Sequence, residues 1–379
     1  MRLTKFTWLL VAVVTIIYTA TLVIVRVENP RHIQAECYRR WRSAYVIKQS
    51  PHRSFVNTSN QRNNPVALSE GQGYGLYITA LAGRHGWAKS QDFDQLLNYY
   101  LAHRDYVGPH QQTATYLMKW RQYRKDGRWV SDANSATDGD LFIAMALDRA
   151  ATVWPQRAGY YHRLERQLTN DILAYEYNPQ TRALTVGDWA TSKSKYYRLM
   201  RTSDVAPTFF DAFYRLSHDQ RWRIVKGGML DHLADLSGQH RTGLVPDFAW
   251  VTADHAKPVK PWTVASKNDG NYSYNACRVP MMLAASKDPR AQRTLTRMMK
   301  FFSQSYHVTA GYTLAGKQLT HHQSGSFSAP IFYAVSRNRD HGYDNLFDSQ
   351  KFIFSKPLNK DNYYDATLTS IAAMEGMNN

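Results

Sequence analysis

Apolar residues recur at three- and four-residue spacing through most of the chain. Cys37, Trp41 and Tyr45 fall four apart, on one face of a helix expected over Gln34 to Lys48. Pro51 ends it, and a polar stretch from Ser54 to Asn64 leads through Pro65 to a glycine-rich helix expected from Ser69 to about Gly83. Phe93, Leu96, Leu97 and Tyr100 mark one side of the next, Asp92 to Arg104. The period breaks between Gly108 and Asn134, which reads as an irregular loop with a short strand pair at Thr115 to Trp120 and Gly127 to Val130. Helical spacing returns at Asp138 to Trp154, Arg157 to Tyr175, Asp204 to Ser217, Arg221 to Leu236, Tyr272 to Ser286, Arg290 to Tyr306, Ser326 to Ser336, Tyr343 to Phe352 and Asp361 to Glu375. This succession of paired helices, with long loops at Leu184 to Lys195 and Thr242 to Gly270, predicts an all-α fold. The arrangement expected is an (α/α)6 barrel, six inner helices ringed by six outer ones. No fixed sequence period marks a stack of helical repeats, so residues 31–379 read as one toroidal domain.

The first thirty residues follow a different rule. Phe6 to Val25 carries no charge, and as a helix it spans about 30 Å, the thickness of a bilayer's hydrocarbon core. Neither Thr19-Ala20-Thr21 nor Val25-Arg26-Val27 makes a convincing small-x-small cleavage site. Residues 1–30 are therefore expected to be a retained transmembrane anchor rather than a cleaved leader. Arg26, Arg31, Arg39, Arg40 and Arg42 follow the run, so flanking charge does not by itself send the domain outward, and topology has to be argued from function.

Composition narrows the classes. With 44% hydrophobic and 20% charged residues the chain is globular. Its net charge of +17 is spread along the length, without a basic run interleaved with aromatics or a nucleic-acid motif, so a nucleic-acid partner is not expected. A solvated surface facing an anionic envelope is the reading that remains. Two cysteines, Cys37 and Cys277, are too few for a disulfide framework and too isolated for zinc.

The chemistry concentrates at two helix starts. In Ser69-Glu70-Gly71-Gln72-Gly73-Tyr74-Gly75, Ser69 and Gln72 have capping-box spacing and Glu70 suits the first turn. Capping does not explain three glycines, each costing roughly 1 kcal/mol against alanine in a helix. A turn stripped of side chains around one carboxyl is expected to floor a cleft. In Ala136-Thr137-Asp138-Gly139-Asp140, Thr137 and Asp140 again have cap spacing, and two acids exceed what a cap needs. Backbone N–H groups at that helix start are expected to keep Asp138 and Asp140 ionised, fit to grip sugar hydroxyls or orient water. Two carboxyls across a cleft are what acetal cleavage requires, one protonated and one ionised. Glu70, among apolar and tyrosine neighbours, is the better acid. Tyr74, Trp129, Trp189 and Tyr274 are candidate stacking platforms for pyranose rings.

These segments resemble glycoside hydrolase family 8: the Ser69 to Gly75 stretch is similar to the segment bearing its general acid, and Ala136 to Trp154 to its signature. Trp41, Gly243 to Asp247, Tyr274 to Arg278, Ser328-Ala329-Pro330 and Tyr363-Tyr364 match in order, over nearly everything after the anchor. The resemblance implies an (α/α)6 barrel and an inverting hydrolase of β-1,4-linked glycans, with Glu70 as proton donor and Asp138 contacting sugar at the cleavage point. It places Arg278, Tyr363 and Tyr364 along the cleft. Where many members carry an aspartate base, this chain has Asn275, and an amide cannot take a proton from water. Asp138, Asp204, Asp247 and Asp269 are the candidates for that role, with Asp138 and Asp269 ahead. The expected activity is an endo-β-1,4-glucanase of cellulase type, facing outward from the cell membrane, with a polysaccharide as its partner. Exopolysaccharide synthesis machinery is a further candidate partner. The chemistry needs neither metal nor cofactor. A chitosanase or xylanase of the same family is the near alternative, the first disfavoured because a chain at +17 repels a polycation. A non-catalytic polysaccharide-binding scaffold is the alternative from another class.

Overall fold

The computed structural model describes residues 5–61, 63–305 and 307–377, apart from the side chains of residues 22–28 and 109. Its helices are α1 (Lys5–Glu28), α2 (Pro30–Tyr45), α3 (Ser69–Arg84), α4 (Ser90–Ala102), α5 (Thr137–Val153), α6 (Ala158–Tyr175), α7 (Pro207–Ser217), α8 (Arg221–Gly238), α9 (Val279–Leu283), α10 (Pro289–Ser303), α11 (Gly325–Ser336), α12 (Asp344–Gln350) and α13 (Tyr363–Gly376). From α3 onward alternate helices pack in a ring: α3 on α5, α5 on α7, α7 on α9, α9 on α11, α11 on α13, and α13 back on α3. Of the others, α2 packs against α13 and α3, α4 against α3, α6 against α5 and α7, α8 against α7, α10 against α9 and α11, and α12 against α11, while α1 packs against α2. This is the expected (α/α)6 toroid.

Burial explains which helices lie inside. In α3 an unbroken run from Gly71 to Ala82 is buried, and α11 is buried from Ser326 to Ser336, so neither offers a face to water. Outer α10 buries Ala291, Thr294, Leu295, Met298, Met299 and Phe302, a single stripe at helical spacing. Asp288 caps it by accepting from the Arg290 N–H, with Pro289 in the first turn.

Two expected helices are shorter than their periodicity. The one expected from Gln34 stops at Tyr45, where Val46–Ser50 pairs antiparallel with Arg53–Val56. The one expected from Tyr272 begins with a 3-10 turn, Ala276–Arg278, followed by α9. There Asp247 Oδ1 accepts from the N–H groups of Ser273, Asn275 and Ala276, which a helix would have turned on its own carbonyls. Tyr306, the expected end of α10, lies outside the described residues.

The irregular segment before α5 forms more sheet than its sequence predicts. Val66–Leu68, Arg121–Lys125 and Arg128–Ser131 make an antiparallel three-stranded sheet, and Arg104–Val107 pairs with Thr113–Met118. A second three-stranded sheet joins Leu199–Arg201, Phe248–Val251 and Ala256–Pro258. Both lead straight into candidate site residues: Leu68 precedes Ser69, and Arg201 ends its strand.

The anchor is not borne out. Among the described residues no helix is long and apolar enough to cross a membrane. The expected run reaches Val25, and from residue 22 its side chains lie outside the description.

Candidate active site

Helices α3 and α5 meet closer than side chains would allow. A Cβ on Gly139 would lie 2.3 Å from Ser69 Oγ and 2.7 Å from the Glu70 nitrogen, and one on Gly73 would lie 2.9 Å from the Gly139 carbonyl oxygen. The glycines at both helix starts thus serve helix packing, and the expected sugar-facing floor is corrected: on Gly71 and Gly75 the added carbon would meet Thr58 and Val56. What the contact achieves is to set the first turns of two helices side by side, Glu70 on one and Asp138 on the other.

Neither expected cap forms. Gln72 turns inward, accepting from the Val56 N–H and donating to the Leu96 carbonyl, and Thr137 donates to the Thr185 carbonyl. The residues at the N-cap positions of α3 and α5, Leu68 and Ala136, supply no side-chain cap, and in α5 the Gly139 N–H donates to Asp138 Oδ1 instead.

Arg278 is the hub. Buried to 2% exposure, its guanidinium donates from Nη1 to Glu70 Oε1 (3.0 Å), Tyr74 Oη (2.8 Å) and Asp138 Oδ2 (3.2 Å). From Nη2 it donates to Asp138 Oδ2 (3.2 Å), Ser203 Oγ (2.8 Å) and Asn275 Oδ1 (3.2 Å). A second arginine, Arg201, pairs with the other oxygen of Asp138 at 2.7 Å and with Asp204 at 3.5 Å. Burial pushes the Asp138 carboxyl up, but the two guanidiniums outweigh it and hold the group below the usual carboxylate range. Glu70 goes the other way: burial, helped by the charge of Asp138, raises it despite Arg278. One fifth of its side chain still reaches solvent. The site therefore holds one carboxyl biased toward its acid form beside one held ionised.

Several sequence candidates sit elsewhere. Asp140 is fully buried with Oδ1 accepting from the Met118 N–H, and burial together with Glu176 pushes its carboxyl well up. It is neither ionised by the helix start nor turned to the cleft, which corrects the expectation that it grips sugar. Tyr74 has no exposed face; its ring meets Phe142 edge-on and its hydroxyl holds Arg278, so it is no stacking platform. Asp269 accepts from the N–H groups of Val264, Ala265 and Ser266, and from the Ser266 hydroxyl, a turn clamp rather than a free base. Tyr363 is buried with its hydroxyl 3.1 Å from where a Gly71 Cβ would be, behind Glu70. Tyr364 donates to the Tyr274 carbonyl, and the Tyr274 ring stays 46% exposed. Trp129 stands half-exposed on its strand, edge-on to Phe55 and covered by the Arg124 guanidinium.

Sequence reasoning missed Arg201, Ser203 and Trp262. Arg201 continues the buried pair Leu199-Met200, and a cation at the end of an apolar strand was the available signal. Trp262 is 71% exposed at a φ of 61°, a backbone region that bulky residues avoid, in the loop Asp269 clamps.

Known proteins share this fold and part of this sequence. The model of glycosyl hydrolases family 8 matches residues 11–375. The chain is 30% identical over 353 residues to a beta-glucanase of Niallia circulans, covering 89% of this chain and 82% of that protein. It is 25% identical over 365 residues to an endoglucanase of Bacillus sp. (strain KSM-330), covering 87% and 76%. The solved apo structure of a β-1,3-1,4-glucanase from Paenibacillus sp. X4 superposes with a TM-score of 0.81 at 26% identity, covering 92% and 93%. The family match over residues 11–375, with a relative 30% identical over most of both chains and a ring of paired helices to carry it, shows that this chain belongs to glycosyl hydrolases family 8 and is a glycoside hydrolase.

Proposed function

We propose that the enzyme cleaves internal β-1,4 linkages of a glucan, with inversion, Glu70 acting as proton donor. The observation carrying this is the opposed charge bias of Glu70 and Asp138 around one buried arginine. In the reaction Glu70 gives its proton to the glycosidic oxygen as the bond to the anomeric carbon breaks, and water supplies the new oxygen on that carbon, losing its proton to a base. Asp138 steadies the developing positive charge.

Asp138 is poorly placed to be that base. Its Oδ2 and Glu70 Oε1 share one guanidinium nitrogen at 3.2 and 3.0 Å, so these oxygens lie closer than the about 6.5–9.5 Å that leaves room for water. Asp247 and Asp269 are taken up by backbone N–H groups. Asp204 is the candidate that remains: it is buried, among the described residues its one charged partner is Arg201 at 3.5 Å and no backbone N–H is spent on it, and burial pushes its carboxyl up to about 7.

A second reading, a mixed-linkage β-glucan substrate, is favoured by the likeness to the Paenibacillus sp. X4 enzyme. Carboxymethyl-cellulose and barley-type β-glucan, offered to the purified full chain beside xylan and chitosan, separate these cases by the reducing ends released. Glu70→Gln is expected to lower release about 10²–10⁴-fold with folding intact. Unchanged release would overturn the role of Glu70. Glycan retention without release by the parent would favour a binding scaffold. For Asp204→Asn, azide, a small anionic nucleophile that attacks the anomeric carbon without a base, is expected to restore chain cleavage with a glycosyl azide as product, read as loss of viscosity and by mass spectrometry because that product carries no reducing end.

The location follows as part of the same reading. Helix α1 exposes Phe6, Trp8, Leu9, Ile16 and Ile17, an apolar surface that supports residues 1–30 holding the enzyme at the membrane; the outward placement of its cleft, within reach of exported exopolysaccharide, rests on the polysaccharide substrate alone. Fractionation of cells, followed by protease treatment of intact ones, tests it: a soluble or fully protected chain would end this placement.

A further inference from the structure

Helices α5 and α6 pack together along their length, and their interface holds polar groups the glycosidase chemistry does not use. Asp148 lies ten residues along α5 from Asp138, about 15 Å further down the helix. Opposite it on α6 are His162 and Glu165, three apart and therefore on one face. One ligand atom from each of the three lies within 4.8 Å of the others. Glu165 is the telling member. It is 0% exposed, and neither carboxylate oxygen has a hydrogen-bond partner. Among the described residues no lysine or arginine makes an ion pair with it either, although Arg166 and Arg215 are in its surroundings. A buried carboxylate without partners costs several kcal/mol; burial, with the charge of Asp148, pushes Glu165 up to about 9, so without a cation it keeps its proton, and a coordinated metal is what lets the ionised form exist there.

We propose that Asp148, His162 and Glu165 form a divalent transition-metal site of the zinc class that ties α5 to α6. The donor set decides the class. One imidazole nitrogen with two carboxylates matches tetrahedral Zn2+ with water in the fourth position, whereas Ca2+ takes six to eight oxygens and Mg2+ a near-ideal octahedron. Two carboxylates also balance the charge of the ion, replacing their mutual repulsion by attraction to a shared cation. The ion would tie the two helices together and take no part in the glycosidase chemistry. It lies too far down α5 to touch sugar, and its consequence is to fix the helix whose first turn carries Asp138.

The test uses the full chain, stripped with a chelator and titrated with Zn2+ by calorimetry and with Co2+ by visible absorption. Expected are one equivalent bound per chain, the intense ligand-field bands of four-coordinate Co2+, and a higher melting temperature with metal. His162→Ala, at a half-buried position, and the isosteric Glu165→Gln should each weaken binding at least about tenfold. Circular dichroism checks that both variants fold. Glucan hydrolysis by the metal-free variants should match that of the metal-free parent. Absence of saturable binding overturns the proposal. So does binding that neither variant weakens, since that locates the ion elsewhere. Because binding is read directly, failure here is separate from failure of the glucanase reading.

Discussion

Asp138 and Asp140 sit two residues apart in the first turn of one helix, and the protein treats them in opposite ways. Asp138 meets two guanidiniums and is held ionised; Asp140 meets one N–H, with Glu176, Asp188 and Asp105 nearby, and is held in its acid form. The macrodipole acts alike on both. What differs is which way each side chain leaves the helix, toward Arg278 and the cleft or toward the loop carrying Glu176 and Asp188. A helix start therefore offers a charge state to its acids, and tertiary neighbours a few ångströms away overrule it.

The comparison is broken most severely by removing the charge of Asp138. Asp138→Asn leaves Arg201 and Arg278 buried without their shared anion, and about 3–5 kcal/mol of stability should be lost in urea unfolding, with activity falling alongside. Gly139→Ala attacks the contact that brings the two acids to their places. The new carbon meets the Ser69 and Glu70 backbone, so about 1–3 kcal/mol should go, and kcat should fall as Glu70 moves away from Arg278.

The acidic side sharpens it through pH. Burial pushes Asp105 up to about 6 and Glu176 up to about 8, so the folded state keeps protons that the unfolded chain, with ordinary carboxyls, has already released. Their contribution is fully present below about pH 4 and is lost as pH rises through about 6 and then 8. The melting temperature should accordingly fall over that window, and a scan in which it rises would contradict the protonated cluster. The smallest effect is expected at Asp140→Asn. An amide reproduces the shape of the protonated acid and can donate toward Glu176, so stability should change by less than about 1 kcal/mol and activity should be retained. Near-equal losses at Asp138→Asn and Asp140→Asn, in the same unfolding assay, would erase the distinction.

Much of the ring was legible because helix packing writes a period into the chain. The stripe of α10 and the four-residue spacing of Cys37, Trp41 and Tyr45, all buried, are of that kind. Glu70 and Asp138, which meet at Arg278, were singled out because glycines beside an acid at a helix start are costly, although the glycines proved to serve packing contacts and not the sugar. Asp269 misled because an acid in a long loop looks the same whether it faces water or clamps the turn beneath Trp262. Arg201 escaped because its partner lies 63 positions away, beyond any local pattern.

The linear order of residues determined which segments coil and that two helix starts carry the candidate acids, since each of these depends on neighbours within a turn or two. Which carboxyl is charged, which tyrosine faces solvent and which aspartate is free were decided only when Arg278, more than a hundred residues from either acid, came between Glu70 and Asp138. Burial and Coulomb attraction depend on distance in space, and the ring closure sets that distance.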